Sequence, residues 1–206
     1  METTKVTPKN VGKKQLFENP ILERLTRTHI SIPLIIFNVG GIAMIYYGIT
    51  NGLINAVEVI ISYVIGVLAF SLVEYLMHRY VFHMEPTNKV KANIQYKFHG
   101  VHHEYPKDKE RLAMPPVVSI VLVCILFLLF RLVMGNLVFG FLPGFLFGYT
   151  AYLWVHYIVH AFRPPSNIFK VLWVHHGIHH YKDNERAFGV SSPLWDFIFR
   201  TMPREG

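Results

Sequence analysis

Four runs of apolar residues, each long enough to cross a bilayer, constrain this chain more than any other feature. A span needs about 20 apolar residues to cover the hydrocarbon core. The candidates are residues 30–49, 53–77, 116–134, with Arg131 snorkelling near its end, and 137–160. Two of the connections are very short, Thr50-Asn51-Gly52 and Gly135-Asn136, so the runs are expected to form two helical hairpins. The fold expected is an all-α integral membrane protein with four transmembrane helices. Composition agrees: of 206 residues, 52% are hydrophobic and only 16% charged, against roughly 25% charged in soluble domains. That excludes a soluble, charge-covered globule. The single cysteine, Cys124, lies inside an apolar run, which rules out an intrachain disulfide and zinc-finger spacing.

Orientation follows from the basic residues. Six lie before the first run, seven in the loop 79–115 and six after Phe162, and neither tight turn holds any. Both termini and the central loop are therefore expected on the cytoplasmic side. The excess of basic residues, +7 overall, suits a membrane surface, and nucleic acid is not an expected partner. Residues 1–29 lack the apolar core and small-residue cleavage site of a secretory signal. They are expected to stay as a cytosolic segment, whose second half, residues 13–29, suits a helix in the membrane interface. Residues 30–206 form one domain, with a cytosolic cap made of 78–115 and 161–206.

Ten of the twelve histidines fall into four clusters, all on the expected cytoplasmic side: His78 and His83; His99, His102 and His103; His156 and His160; His176, His179 and His180. In a helix, residues three or four apart share a face, so H-x-x-H-H and H-x-x-x-H can each chelate. His78 and His83 are five apart, roughly 140° around a regular helix. They can share an ion only if the helix ends or bulges between them. Neutral imidazole suits zinc, copper, iron and nickel, and ten imidazoles exceed the four or five that one ion uses, so two metal ions are expected. Zinc fits the donors, but structural zinc is satisfied by four ligands, and a two-metal site at a membrane surface points to iron and oxygen chemistry.

Two further residues are candidates for orienting the ligands. Glu74 precedes His78 by four residues and is placed to accept its other ring N–H; Tyr152 stands in the same relation to His156. Glu58, near the outer end of its span, reads as an interface residue. His29 reads as an interfacial side chain, and His175 as a helix neighbour of its cluster or an outer donor.

Four stretches, EYLMHRYVFHMEP (74–86), FHGVHHEYPKDKERLAMPP (98–116), GYTAYLWVHYIVH (148–160) and VHHGIHHYKDNERAFGVSSPLWDFIFRT (174–201), resemble the fatty acid 2-hydroxylase branch of the membrane fatty acid hydroxylase and sterol desaturase superfamily. The resemblance spans roughly the last two thirds of the chain, and RLAMPP and FGVSSPLWD carry it more specifically than the histidines do. It implies a monooxygenase with a di-metal centre, di-iron in the active form and zinc possible in purified protein, held by His78, His83, His99, His102, His103, His156, His160, His176, His179 and His180. Such enzymes place a hydroxyl on carbon 2 of a long acyl chain, free or within a sphingolipid, using oxygen and two electrons. Eukaryotic members often carry a cytochrome b5 domain ahead of the membrane part. Residues 1–29 are too short for one, so electrons are expected from a separate donor, cytochrome b5-like or ferredoxin-like. The membrane would be the endoplasmic reticulum in a eukaryote and the inner membrane in a bacterium. One departure is Leu153, which follows Tyr152 where the family pattern has an acid. The alternatives weighed are a carotenoid or sterol hydroxylase or desaturase, a metal transporter, and a haem electron carrier. A transporter's ligands belong near the bilayer midplane, whereas these crowd one surface.

Overall fold

A computed structural model describes residues 7–204, which contain helices and irregular segments and no strand. In chain order the α-helices are α1 (Pro20–Leu25), α2 (Ser31–Thr50), α3 (Ala56–Leu76), α4 (Lys89–Gln95), α5 (Val101–Glu104), α6 (Pro116–Met134), α7 (Val138–Ala161), α8 (Lys170–Tyr181) and α9 (Leu194–Ile198). Two wider π-helical turns, Met77–Phe82 and Tyr96–Gly100, continue α3 and precede α5.

Three stretches are long and apolar enough to cross a membrane: Ser31–Thr50, Ala56–Phe82 and Lys109–Ala161. The last runs to 53 residues and contains both α6 and α7, which separate at Gly135, where φ is +61° and the short turn Gly135–Leu137 follows. The outward faces of these helices are apolar, with Ile42, Ile60, Val117 and Leu132 all exposed. Exposed apolar surface of this extent fits a membrane protein, in which lipid takes the place of water.

Local chemistry sets the helix ends. Asn55 caps α3 by accepting from the N–H groups of Val57 and Glu58, while the Glu58 carboxylate accepts from the Asn55 N–H at 2.9 Å. This reciprocal cap occupies Glu58. In the N-terminal segment, Asn19 caps α1 and Pro20 begins it, but the helix ends after six residues. The interfacial helix expected over residues 13–29 is therefore reduced to one short piece. The rest is tied to the cap loop instead: Lys13 pairs with Glu110 at 2.6 Å, and Glu23 pairs with Arg27 at 2.9 Å and with Arg111.

Helix α7 is the central element, packed along both α3 and α2. Gly140, Gly144 and Gly148 recur every four residues on it. An added Cβ at Gly144 would lie 2.0 Å from the Tyr63 carbonyl oxygen, and one at Gly66 of α3 would lie 2.1 Å from that of Phe141. Small residues let two backbones approach this closely, the usual device for joining helices where lipid supplies no hydrophobic drive between them. Around the seam, Phe37, Val59, Val138, Phe139, Leu142 and Leu146 form the buried core. A smaller cluster of Ile30, Ala113 and Leu153 closes the end nearest the cap. Leu153 is 1% exposed there, so an acid at this position would bury a charge.

Candidate metal centre

At the cap end of α3 and α7, ten imidazoles converge into two groups of five. Group one contains His78, His83, His99, His103 and His179; group two contains His102, His156, His160, His176 and His180. Within each group the candidate donor atoms all lie within 4.8 Å of one another. Each three-histidine cluster is divided between the groups: the i, i+4 pair goes to one (His99 and His103, or His176 and His180) and the residue between goes to the other (His102, or His179). Helices α5 and α8 thus link the two groups.

His78 and His83 share group one because the helix widens between them. The backbone N–H of His83 donates to the carbonyl of His78 at 3.1 Å, an i to i+5 bond that defines the π-turn. The bulge required by their five-residue spacing is therefore present.

Ring nitrogens face each other at hydrogen-bonding distance: His78 and His99, 3.0 Å; His99 and His103, 3.0 Å; His83 and His179, 3.0 Å; His102 and His156, 2.9 Å; His102 and His180, 3.1 Å; His160 and His176, 2.8 Å, all between Nε2 atoms. The tautomer is fixed at two of them. His78 donates from Nδ1 to the Phe188 carbonyl at 2.5 Å and His179 from Nδ1 to the Arg186 carbonyl at 2.7 Å. Both Nε2 atoms then carry lone pairs and face the Nε2 atoms of other imidazoles, His99 and His83.

Protonation does not resolve this crowding. Burial, followed by the charges of His78 and His103, pushes the His83 imidazole down to about 2. Burial first and neighbouring imidazoles second hold His99, His102, His103, His176, His179 and His180 well below their usual range. Neutral, convergent, nitrogen-only donor sets of this kind suit transition-metal ions, and each group could hold one.

The carboxylates around the site have other duties. Glu74 does not accept from His78, whose Nδ1 is turned to Phe188 across the widened turn. It accepts instead from the N–H groups of Val190 (2.9 Å) and Ser191 (2.8 Å) and from the Ser191 hydroxyl. Tyr152 does not hydrogen-bond His156 either. The two rings stack, centroids 5.5 Å apart and planes 27° apart, and His156 Nδ1 has no hydrogen-bond partner among the described residues.

His29 stays outside both groups, bonded to Ser31 at 2.7 Å. His175 is an outer donor, its Nε2 donating to Asp196 at 2.9 Å. Asp196, which carried no role in the sequence reading, is fully buried. It accepts on Oδ1 from Phe188 N–H (2.9 Å) and the Thr201 hydroxyl (2.7 Å), and on Oδ2 from Gly189 N–H (2.7 Å) and His175. Burial pushes its carboxyl up, but these bonds, led by that from His175, outweigh it and hold it below the usual range. An acid inside the otherwise apolar PLWDFIF is the signal that could have found it. Group two borders a cavity of about 140 Å³ lined by Lys107, Val159, His160, Trp173, His176, Gly177, His180 and Tyr181.

Long apolar helices with two five-histidine groups at one end define a class: an α-helical membrane protein built around a histidine-only centre that could hold metal ions. Residues 63–201 match the model of the fatty acid hydroxylase family, and the chain belongs to that family. It is 35% identical over 199 residues to a ceramide very long chain fatty acid hydroxylase of Schizosaccharomyces pombe (92% of this chain, 55% of the relative). It is 38% identical over 144 residues to the fatty acid 2-hydroxylase of Rattus norvegicus (68% and 39%). With a dihydroceramide fatty acyl 2-hydroxylase of Arabidopsis thaliana it shares 34% over 139 residues (67% and 59%). The chain therefore spans about half the length of the curated relatives it matches. A solved structure of full-length scs7p, in which only the hydroxylase domain is visible, superposes with a TM-score of 0.82 at 29% identity, covering 91% of this chain and 72% of that one.

Proposed function

We propose that this chain is a di-metal monooxygenase that hydroxylates carbon 2 of long-chain acyl groups, free or within ceramide. The observation that carries the proposal is the convergence of ten desolvated, neutral imidazoles into two groups of five at one end of the apolar helices, in a family whose compared members are named as 2-hydroxylases and ceramide hydroxylases. Group one would hold one ion and group two the other, iron in the active form. Bound there, the pair supplies the oxidising power to put one atom of dioxygen into an unactivated C–H bond, with two electrons and two protons from a donor reducing the other atom to water.

The protein's own part is positioning. Outer hydrogen bonds fix ring orientation at His78 and His179, burial keeps the imidazoles neutral and the centre dry, and the packed seam between α3 and α7 sets the groups at a constant depth. In our reading α2, α3, α6 and α7 all span, as two hairpins, and both termini and the cap lie in the cytoplasm. An acyl chain in the bilayer can then keep its head group in the polar layer, which leaves carbon 2, next to that head group, closest to the centre. Electrons come from a separate cytochrome b5-like or ferredoxin-like protein.

Mass spectrometry of lipids from a host expressing the chain tests the activity. Accumulation of 2-hydroxy acyl groups is expected, and is expected to disappear in His102→Ala. Altered carotenoids or sterols without 2-hydroxy lipids would show that the substrate is wrong. Elemental analysis should find about two metals per chain after iron loading, and a single metal would count against the two-group centre.

A further inference from the structure

Glu74 and Asp196 together hold four consecutive backbone N–H groups, those of Phe188, Gly189, Val190 and Ser191. That strap and the two residues before it supply both carbonyls that orient histidines: Phe188 for His78 and Arg186 for His179. Between them Ala187 adopts a left-handed conformation (φ +58°) and is anchored by its N–H to the Thr201 carbonyl at 2.9 Å. The Phe188 peptide is a direct relay, its N–H on Asp196 and its carbonyl on His78.

Everything in this arrangement serves group one. Imidazoles whose distal N–H is held by a carbonyl are better oriented and more basic ligands, and loss of such outer partners commonly costs 10- to 100-fold in metal affinity. Asp196 also brings buried negative charge to this side, where five neutral ligands leave an ion's charge uncompensated and the low dielectric strengthens the attraction. Group two has neither advantage. The Nδ1 atoms of His102, His156, His176 and His180 are buried and meet no acceptor among the described residues, and the cavity beside them carries the cation Lys107.

Resting on the metal-centre reading above, we propose that the two groups are unequal metal sites, group one binding more tightly, and that Asp196, braced by His175, is the positioning residue that makes it so. The test uses the full chain in detergent, loaded with cobalt(II) and challenged with rising concentrations of EDTA. Bound cobalt is followed by elemental analysis and by its visible absorption. Wild type should release one cobalt early and one at a chelator concentration at least tenfold higher. His176→Ala should remove the early step and His179→Ala the late one. Asp196→Asn and His175→Leu should bring the late step earlier by about tenfold or more, while His175→Gln, which keeps an N–H for Asp196, should restore it.

Release of two cobalts in one step, or loss of the late step in His176→Ala rather than in His179→Ala, overturns the inequality and leaves the metal centre standing. An unmoved late step in both Asp196→Asn and His175→Leu overturns the role given to Asp196. Should Asp196→Asn fail to fold, the wild-type, His175, His176 and His179 series decides alone. A chain that takes up no cobalt overturns the metal-centre reading itself, and this inference with it.

Discussion

His83 donates its backbone N–H to the carbonyl of His78, and this one widened turn puts both rings in the same group of five. On a regular α-helix their five-residue spacing would separate them by roughly 140°. Inserting one alanine after Val81 makes the spacing six, one residue more than the widened turn closes and still roughly 120° apart on a regular helix, and should lower metal content after iron loading from about two per chain to about one. Deleting Val81 gives i, i+4 spacing, which an ordinary helix keeps on one face, and should leave loading near two. Equal loading in both variants would show that the turn does not set the pairing.

The apolar runs and the histidine spacings were legible because each depends on local sequence alone: residues 30–49 and 116–134 appear as α2 and α6 nearly to the residue. The division of His99, His102 and His103 between two groups was not, since it depends on which imidazoles from distant segments meet them, His78 at His99 and His156 and His180 at His102. Glu74 shows the same limit. Its spacing from His78 is correct for an ordinary helix, but the turn that widens beyond Leu76 and the strap arriving from residues 188–191 give its oxygens other partners. The acid within the apolar PLWDFIF marks Asp196 as unusual, but its partners on the backbone of Phe188 and Gly189 leave no mark in side-chain patterns. The glycine repeat of α7, by contrast, is legible in GFLPGFLFG itself, as spacing that lets helices approach closely.

That repeat can be tested against a glycine outside the seam. Gly144→Ala puts a methyl group 2.0 Å from the Tyr63 carbonyl oxygen, and forced overpacking of this kind costs about 1–3 kcal/mol. Gly177 lies within α8 with nothing within 4 Å of an added Cβ, so Gly177→Ala should be neutral or stabilise by up to about 1 kcal/mol through helix propensity. Thermal unfolding in detergent should separate the two by several degrees. A Gly144→Ala protein as stable as wild type would mean that α3 and α7 do not meet at this residue.

Glu23 predicts how acid acts on the N-terminal segment. Burial pushes its carboxyl up, but hydrogen bonds from the Leu16 and Phe17 N–H groups, the Arg111 charge and Arg27 outweigh that and hold it below the usual 4.5. Because the folded value lies below the unfolded one, the unfolded segment binds more protons in that range. Its anchoring is therefore fully present above about pH 4.5 and is lost as pH falls through the folded value. Limited proteolysis within residues 9–19 should accelerate below pH 4.5 in wild type, whereas Glu23→Gln should be cut rapidly and with little pH dependence at neutral pH. Equal protection of the two proteins at pH 7 would remove Glu23 from the anchor.

Tyr152 meets His156 by its ring face, so its hydroxyl is not what positions that imidazole. Tyr152 also lies against Phe70 and Tyr149, with centroids 6.3 and 6.5 Å away, in an aromatic column that leads from the seam between α3 and α7 to group two. Contacts of this kind are worth about 0.5–1.5 kcal/mol beyond the area they bury. Tyr152→Phe keeps the column and should retain wild-type metal content and thermal stability. Tyr152→Ala opens a gap beside His156 and, because the side chain is only partly buried, should lower stability by less than the about 3–5 kcal/mol usual for a fully buried aromatic. It should also loosen the group-two metal against chelator without changing the group-one step. If Tyr152→Phe proves as damaging as Tyr152→Ala, the hydroxyl holds the ligand after all, and the role expected from its four-residue spacing to His156 is restored.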